Sequence, residues 1–257
     1  MDLESMIMQL LLFMIAFVAN LLSAFSGGGA GLVQLPALIL LGLPFSMALA
    51  THKVASVALG LGAGCRHIRE KNLNAKLVRL ILCFGLPGVW LGARLVLFIP
   101  SELGSAVIGL ITFSLGLYSI RRPQLGVSSQ LASMDLLRWL IGGLVLALIG
   151  MLNGSFSSGT GLLVTIWLVR WFGLSYSQAV AYTLILVGLF WNGTGALVLG
   201  LNGEIKWSWL PFLIAGSFIG GYSGAQLSLS KGSRLVKRAF EAISILMGTS
   251  LIIRGFF

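Results

Sequence analysis

The sequence predicts an all-α polytopic membrane protein made of two inverted-topology repeats. Each repeat has a broken or re-entrant helix pair, and 8–10 hydrophobic helical segments cross or enter the membrane. Three observations predict this class. The 257 residues are 57% hydrophobic and only 9% charged, with a mean hydropathy of +0.99. Most apolar runs reach or approach the roughly 20 residues that a helix needs to cross a bilayer core. A polar, glycine-rich break also interrupts the chain twice, as Ser26-Gly27-Gly28-Gly29-Ala30-Gly31 and as Ser155-Phe156-Ser157-Ser158-Gly159-Thr160-Gly161. In lipid, freed backbone groups cost several kcal/mol unless buried in protein or facing a wet cavity. Two matched breaks therefore point to a binding site at the middle of a transporter.

The apolar stretches fall at 5–25, 29–43, 45–65, 76–98, 103–120, 136–153, 160–172, 176–200, 207–228 and 237–254. The first is preceded by Asp2 and Glu4, with no Lys or Arg before Lys53. A secretory signal needs a basic leader, so this stretch is expected to be a retained helix. The second and seventh stretches extend roughly 22 and 20 Å as helix, short of a core of about 30 Å. Partial penetration is favoured, and tilt or local thinning leaves full crossing open.

The remaining stretches are ordered by charge. Arg66, Arg69, Lys71, Lys76 and Arg79 separate stretches three and four. Arg121, Arg122 and Arg138 separate five and six, and Lys231, Arg234, Lys237 and Arg238 separate nine and ten. These groups hold 12 of the 17 basic residues, so the three loops are placed in the cytoplasm. Both termini then lie outside, and the two halves run in opposite senses. Each half has three crossings plus a re-entrant hairpin, or five crossings. No polar run is long enough for a soluble domain. Residues 1–257 form one membrane domain, with repeat one at 1–122, a cytoplasmic linker at 121–135 and repeat two at 136–257.

The halves also match in sequence. Gly29 and Gly31 correspond to Gly159 and Gly161. After a one-residue shift, Gly42-Leu43, Ser46, Ala48 and Ala50 correspond to Gly173-Leu174, Ser177, Ala179 and Ala181. One more shift brings Gly88, Gly92, Ala93 and Leu95 onto Gly220, Gly224, Ala225 and Leu227. Small residues in such stripes suit close helix contact.

The run Ala24-Phe25-Ser26-Gly27-Gly28-Gly29, then Pro36, Gly42-Leu43-Pro44 and Ala48-Leu49-Ala50-Thr51, resembles the sulfite exporter TauE/SafE family of membrane permeases over essentially the whole chain. The resemblance implies a secondary permease for small sulfur-containing anions, such as sulfite or organosulfonates, in a bacterial inner membrane. The chain departs from the family pattern at His52-Lys53, where small polar residues are usual. Its second copy lacks a counterpart of Pro36 and has Ser157-Ser158 in place of two glycines.

A helix that begins inside the membrane presents unpaired N–H groups and the positive end of its dipole, which suits an anion. Gly27, Gly28 and Gly29 admit a substrate close to the backbone. Ser26, Ser157, Ser158 and Thr160 are candidate hydroxyl donors beside Gly159. Lys53 lies away from the basic loops. With His52 it either binds the anion or snorkels to an interface, and both readings stay open. Thr51 and Thr183 hold similar positions in the two copies and join the substrate-binding candidates. Asn20, Gln34, Asn153, Tyr182 and Asn192 fit hydrogen-bonded helix contacts. Arg94 and Arg170 fit segment ends.

All seven acids fall at termini, in loops or at segment ends and none mid-span, which argues against a cation channel or a carboxylate proton antiporter. The net charge of +10 reads as membrane orientation, not nucleic-acid binding. Cys65 and Cys83 read as packing residues. Nothing suggests a metal, nucleotide or other cofactor. The expected partners are the small anionic substrate and the lipid bilayer, and a homo-oligomer is compatible with both. Two alternatives differ in class. One is an intramembrane serine hydrolase, because Gly154-Ser155-Phe156-Ser157-Ser158-Gly159 distantly resembles a Gly-x-Ser-Gly nucleophile turn, with His52 or His67 as base. Phe156 breaks that motif, and no partner spacing supports a dyad. The other is a non-transporting membrane assembly factor.

Overall fold

The computed structural model describes residues 3–67, 73–96, 101–123, 135–202 and 204–256. Asp2, Arg69, Lys71 and most of the 121–135 linker lie outside them. Every regular element among the described residues is helical. The first half comprises α1 (Leu3–Ser26), α2 (Ala30–Leu40), α3 (Phe45–His67), α4 (Ala75–Leu95) and α5 (Ser101–Ile120). The second comprises α6 (Leu136–Phe156), α7 (Thr160–Phe172), α8 (Tyr176–Asn202) and α9 (Leu210–Phe256).

Local chemistry sets the helix starts. Asn74 caps α4, its side-chain oxygen accepting from the N–H of Lys76 at 2.9 Å. Asp135 caps α6 through the Arg138 N–H, and Ser175 with Gln178 forms a capping box ahead of α8. Two features escape the sequence pattern. Thr183–Trp191 of α8 is a π-helix, wider than its flanks. And α9 joins stretches nine and ten without a loop, turning at Gly232 (φ 74°, ψ 171°). The expected third basic loop is thus a glycine kink, because one residue at positive φ redirects the chain. Lys231, Arg234, Lys237 and Arg238 sit on helical turns around it. Lys237 is buried there and pairs with Glu241.

Four helices among the described residues are long and apolar enough to cross a membrane: Met6–Ser26, Ala75–Leu95, Leu136–Phe156 and Tyr176–Asn202. The chain is a multi-pass α-helical membrane protein. With 11 and 13 residues, α2 and α7 are too short to cross the core alone. Cys65 and Cys83 are free and exposed, so they face outward and do not pack the interior.

The halves pack reciprocally. α1 lies along the first arm of α9, where Gly216, Gly220 and Gly224 sit against the carbonyls of Phe13, Phe17 and Leu21. α4 lies along α6, where Gly88 and Gly92 meet the carbonyls of Ala147 and Met151. A methyl at any of these glycines would strike backbone. Each half therefore lends its fourth segment to the first helix of the other. α3 crosses its counterpart α8 at Gly60 and Gly188, and α5 packs on the second arm of α9. Nearly all residues of both breaks are buried within this arrangement.

Candidate functional site

Both breaks end one helix and begin another within a few residues. The N–H groups of Gly27 and Gly28 both donate to the Ser23 carbonyl, at 2.9 and 2.8 Å, which closes α1. Gly27, Gly28 and Gly29 then hold φ of 98°, 133° and 103°, a conformation that L side chains rarely adopt. In the second break Ser157 is the one non-glycine with positive φ among the described residues, at φ 59° and ψ −38°. The Ser158 N–H donates to the Phe156 carbonyl at 2.6 Å, so Ser157 is the centre of a γ-turn. Gly29 and Gly159 start α2 and α7, and no side chain caps either helix.

The two uncapped N-termini meet. A Cβ on Gly28 would stand 2.5 Å from the carbonyl carbon of Gly161, and one on Gly161 would stand 2.9 Å from the Gly28 Cα. First-turn N–H groups and both positive dipole ends therefore converge. Beside this contact lies a cavity with about 30 Å³ open to the centre of a water-sized group. That is space for about two waters or one compact polar group. Matched positions of the two halves line it in pairs: Ser23 with Asn153, Gly31 with Gly161, and Thr183 with His52 rather than with the expected Thr51. The pairs are separated by 130, 130 and 131 residues.

Of the twelve residues singled out from sequence, Gly28, Gly29, His52, Ser157, Thr160 and Thr183 line the cavity. The other six do not. The Ser26 hydroxyl donates to the carbonyl of Leu22 at 2.9 Å or of Gly28 at 3.2 Å. The Gly27 carbonyl accepts from the Thr165 hydroxyl, which in turn accepts from Thr183 at 2.9 Å. Ser158 donates to the Gly31 carbonyl at 3.0 Å and so ties the second break to α2. Gly159 is the N-cap of α7. Thr51 accepts from the Lys206 N–H at 3.0 Å, far along the chain from the breaks. Most hydroxyls thus hold the breaks in shape. Thr160 is one of them, donating to the Ser157 carbonyl at 2.8 Å. The sequence reading missed Ser23, whose buried hydroxyl on the cavity wall has no partner. The repeat offset carried the signal, since Ser23 is the counterpart of Asn153.

Lys53 is fully buried, so it does not snorkel to an interface. Its ammonium donates to the Asn153 carbonyl and side-chain oxygen, both at 2.7 Å, and to the Asn192 side-chain oxygen at 3.0 Å. Both asparagines line the cavity, which places the charge one side chain behind its wall. No carboxylate among the described residues is within ion-pair distance of Lys53. All three donors are satisfied by neutral oxygens, so a positive charge held there has no carboxylate among the described residues to balance it.

The profile of the sulfite exporter TauE/SafE family matches residues 12–251. The chain belongs to the TauE/SafE family. A probable membrane transporter protein of Haemophilus influenzae is 29% identical over 242 residues, covering 94% of this chain and 93% of its own length. The probable membrane transporter protein YfcA of Escherichia coli (strain K12) is 28% identical over 242 residues, with 94% and 88% covered. The probable membrane transporter protein YdhB of Bacillus subtilis (strain 168) is 25% identical over 245 residues, with 95% and 100% covered. This TauE/SafE member is a membrane transporter. Among the described residues His52 pairs with Ser56, and Ser158 with the Gly31 carbonyl. His67 lies 15 residues further along α3, roughly 22 Å away.

Proposed function

We propose that this TauE/SafE transporter is a secondary permease for small sulfur oxyanions, sulfite or the head of an organosulfonate, in a bacterial inner membrane with both termini outside. The observation that carries the reading is the meeting of two uncapped helix N-termini at a small polar cavity. Lys53 stands behind that cavity, and among the described residues no acid lines it. Oxyanions are accepted at such termini by backbone N–H groups and dipoles, and Ser23 and Ser157 add hydroxyls. The cavity is small in this conformation, and a sulfonate needs it to widen. The matched lining and reciprocal packing support an inverted repeat, in which two equivalent hairpins gate the site in turn. Each net negative charge moved outward gains about 2.3 kcal/mol per 100 mV of inside-negative potential.

The test is flux in proteoliposomes of purified protein, offering sulfite, methanesulfonate, sulfate and chloride separately. Selective, saturable flux of a sulfur anion is the expected result. Folded protein that moves none of them contradicts the substrate class and favours an assembly role.

A further inference from the structure

We propose that His52 takes up one proton each time an anion enters the cavity, so that anion and proton cross together. This rests on the reading of the cavity as an oxyanion site. His52 is 1% exposed and is the one titratable side chain on the cavity wall among the described residues. Its Nε2 lies against the first turn of α2: a Cβ built on Gly31 would stand 3.0 Å from it. The Ser56 hydroxyl is 3.4 Å from Nδ1 and 3.3 Å from Nε2. α1, α2, α6, α7 and α8 contribute only hydroxyl, amide, backbone and aliphatic groups to the wall. The nearest charge is Lys53, the next residue on α3, held by Asn153 and Asn192.

A proton on the imidazole therefore puts a second positive charge beside that held at Lys53. An anion in the cavity offsets both. Proton and anion each strengthen the binding of the other, and by linkage the effect is reciprocal. The proton comes from water on the entry side, rides on an imidazole nitrogen, and returns to water on the exit side when the anion leaves. No bond to the anion forms or breaks. A monovalent anion then crosses without net charge, and a divalent one crosses with a single negative charge.

Proteoliposomes loaded with a pH dye test this, with the potential clamped. Methanesulfonate and sulfate are fully ionised throughout the working range, so any proton moved with them is not their own. Wild-type protein should acidify the lumen by one proton per anion taken up, with methanesulfonate rates changing less than twofold over 100 mV. His52→Gln should move no proton, and its methanesulfonate flux should change more than tenfold over the same range. If sulfite alone is carried, the readout is charge per anion, which should be one unit more negative in His52→Gln. If His52→Gln fails to fold, His52→Asn takes its place, and the wild-type proton count with a fully ionised anion decides independently. Anion uptake without proton movement, or with equal charge per anion in both proteins, overturns the coupling and leaves the permease standing. Absence of uptake for every anion overturns both.

Discussion

At the residue scale, the ammonium of Lys53 is held by oxygens from α6 and α8, with no acid to balance it. Asn192→Leu removes one acceptor and should cost about 2 kcal/mol, read as a lower melting temperature in detergent. Asn153→Asp supplies the missing negative charge. It should leave melting unchanged or raised while cutting anion uptake more than tenfold, since the field at the cavity is cancelled. An equal loss of both properties would mean that Asn153 acts only through packing. Ser157 makes a third case. Glycine tolerates its backbone conformation better, so Ser157→Gly should stabilise by about 1 kcal/mol and still weaken anion binding, because a hydroxyl leaves the wall. Only part of this was legible in the sequence. Lys53 stood out as a charge within an apolar stretch. That Asn153 and Asn192 embrace it, 100 and 139 residues away, is a tertiary fact that no local pattern encodes. Ser26, Ser158 and Thr160 were legible as polar residues at the breaks. Whether a hydroxyl faces a ligand or its own backbone depends on turn geometry that spacing does not give.

At the element scale, α2 and α7 work as a facing pair of helix N-termini. Gly28→Ala places a methyl against the backbone of Gly161, and Gly161→Ala places one against Gly28. Neither backbone has a side chain to swing aside. Both variants should insert, melt at lower temperature and retain less than a tenth of wild-type uptake. Gly42→Ala is the contrast. It also has positive φ, at 97°, but nothing lies within 4 Å of the added carbon. It should lose about 1 kcal/mol from backbone strain and keep its uptake. Loss of uptake in all three variants would show that melting, not closure of the cavity, limits transport. The glycine runs revealed these elements because few other residues accept such φ values, and the short apolar stretches fixed their lengths. The π-helix of α8 was not legible, since Thr183–Trp191 has an unbroken apolar composition that suits an α-helix equally well.

At the scale of the whole molecule, glycine stripes at matched positions join α1 to α9 and α4 to α6, so each half completes the other. These contacts were foreshadowed in the sequence because the glycines keep their spacing in both halves. The kink in α9 was hidden, because four basic residues read as a loop while a single glycine makes the turn. Orientation remains a charge-based expectation with a direct check. Alkaline phosphatase fused after residue 257 should be active, and a fluorescent protein fused there should be dark. The reverse pattern would turn the molecule over.

The central claim is that a transported anion sits between the starts of α2 and α7, and cysteine protection tests it most directly. Cys65 and Cys83 are replaced by serine, and Ser157→Cys is introduced as the sole thiol. Its maleimide labelling is then timed with and without an anion that the protein carries. Labelling should slow more than tenfold at saturating anion, with gluconate at equal ionic strength having no effect. An unchanged labelling rate under an anion that the same preparation transports would place the substrate elsewhere.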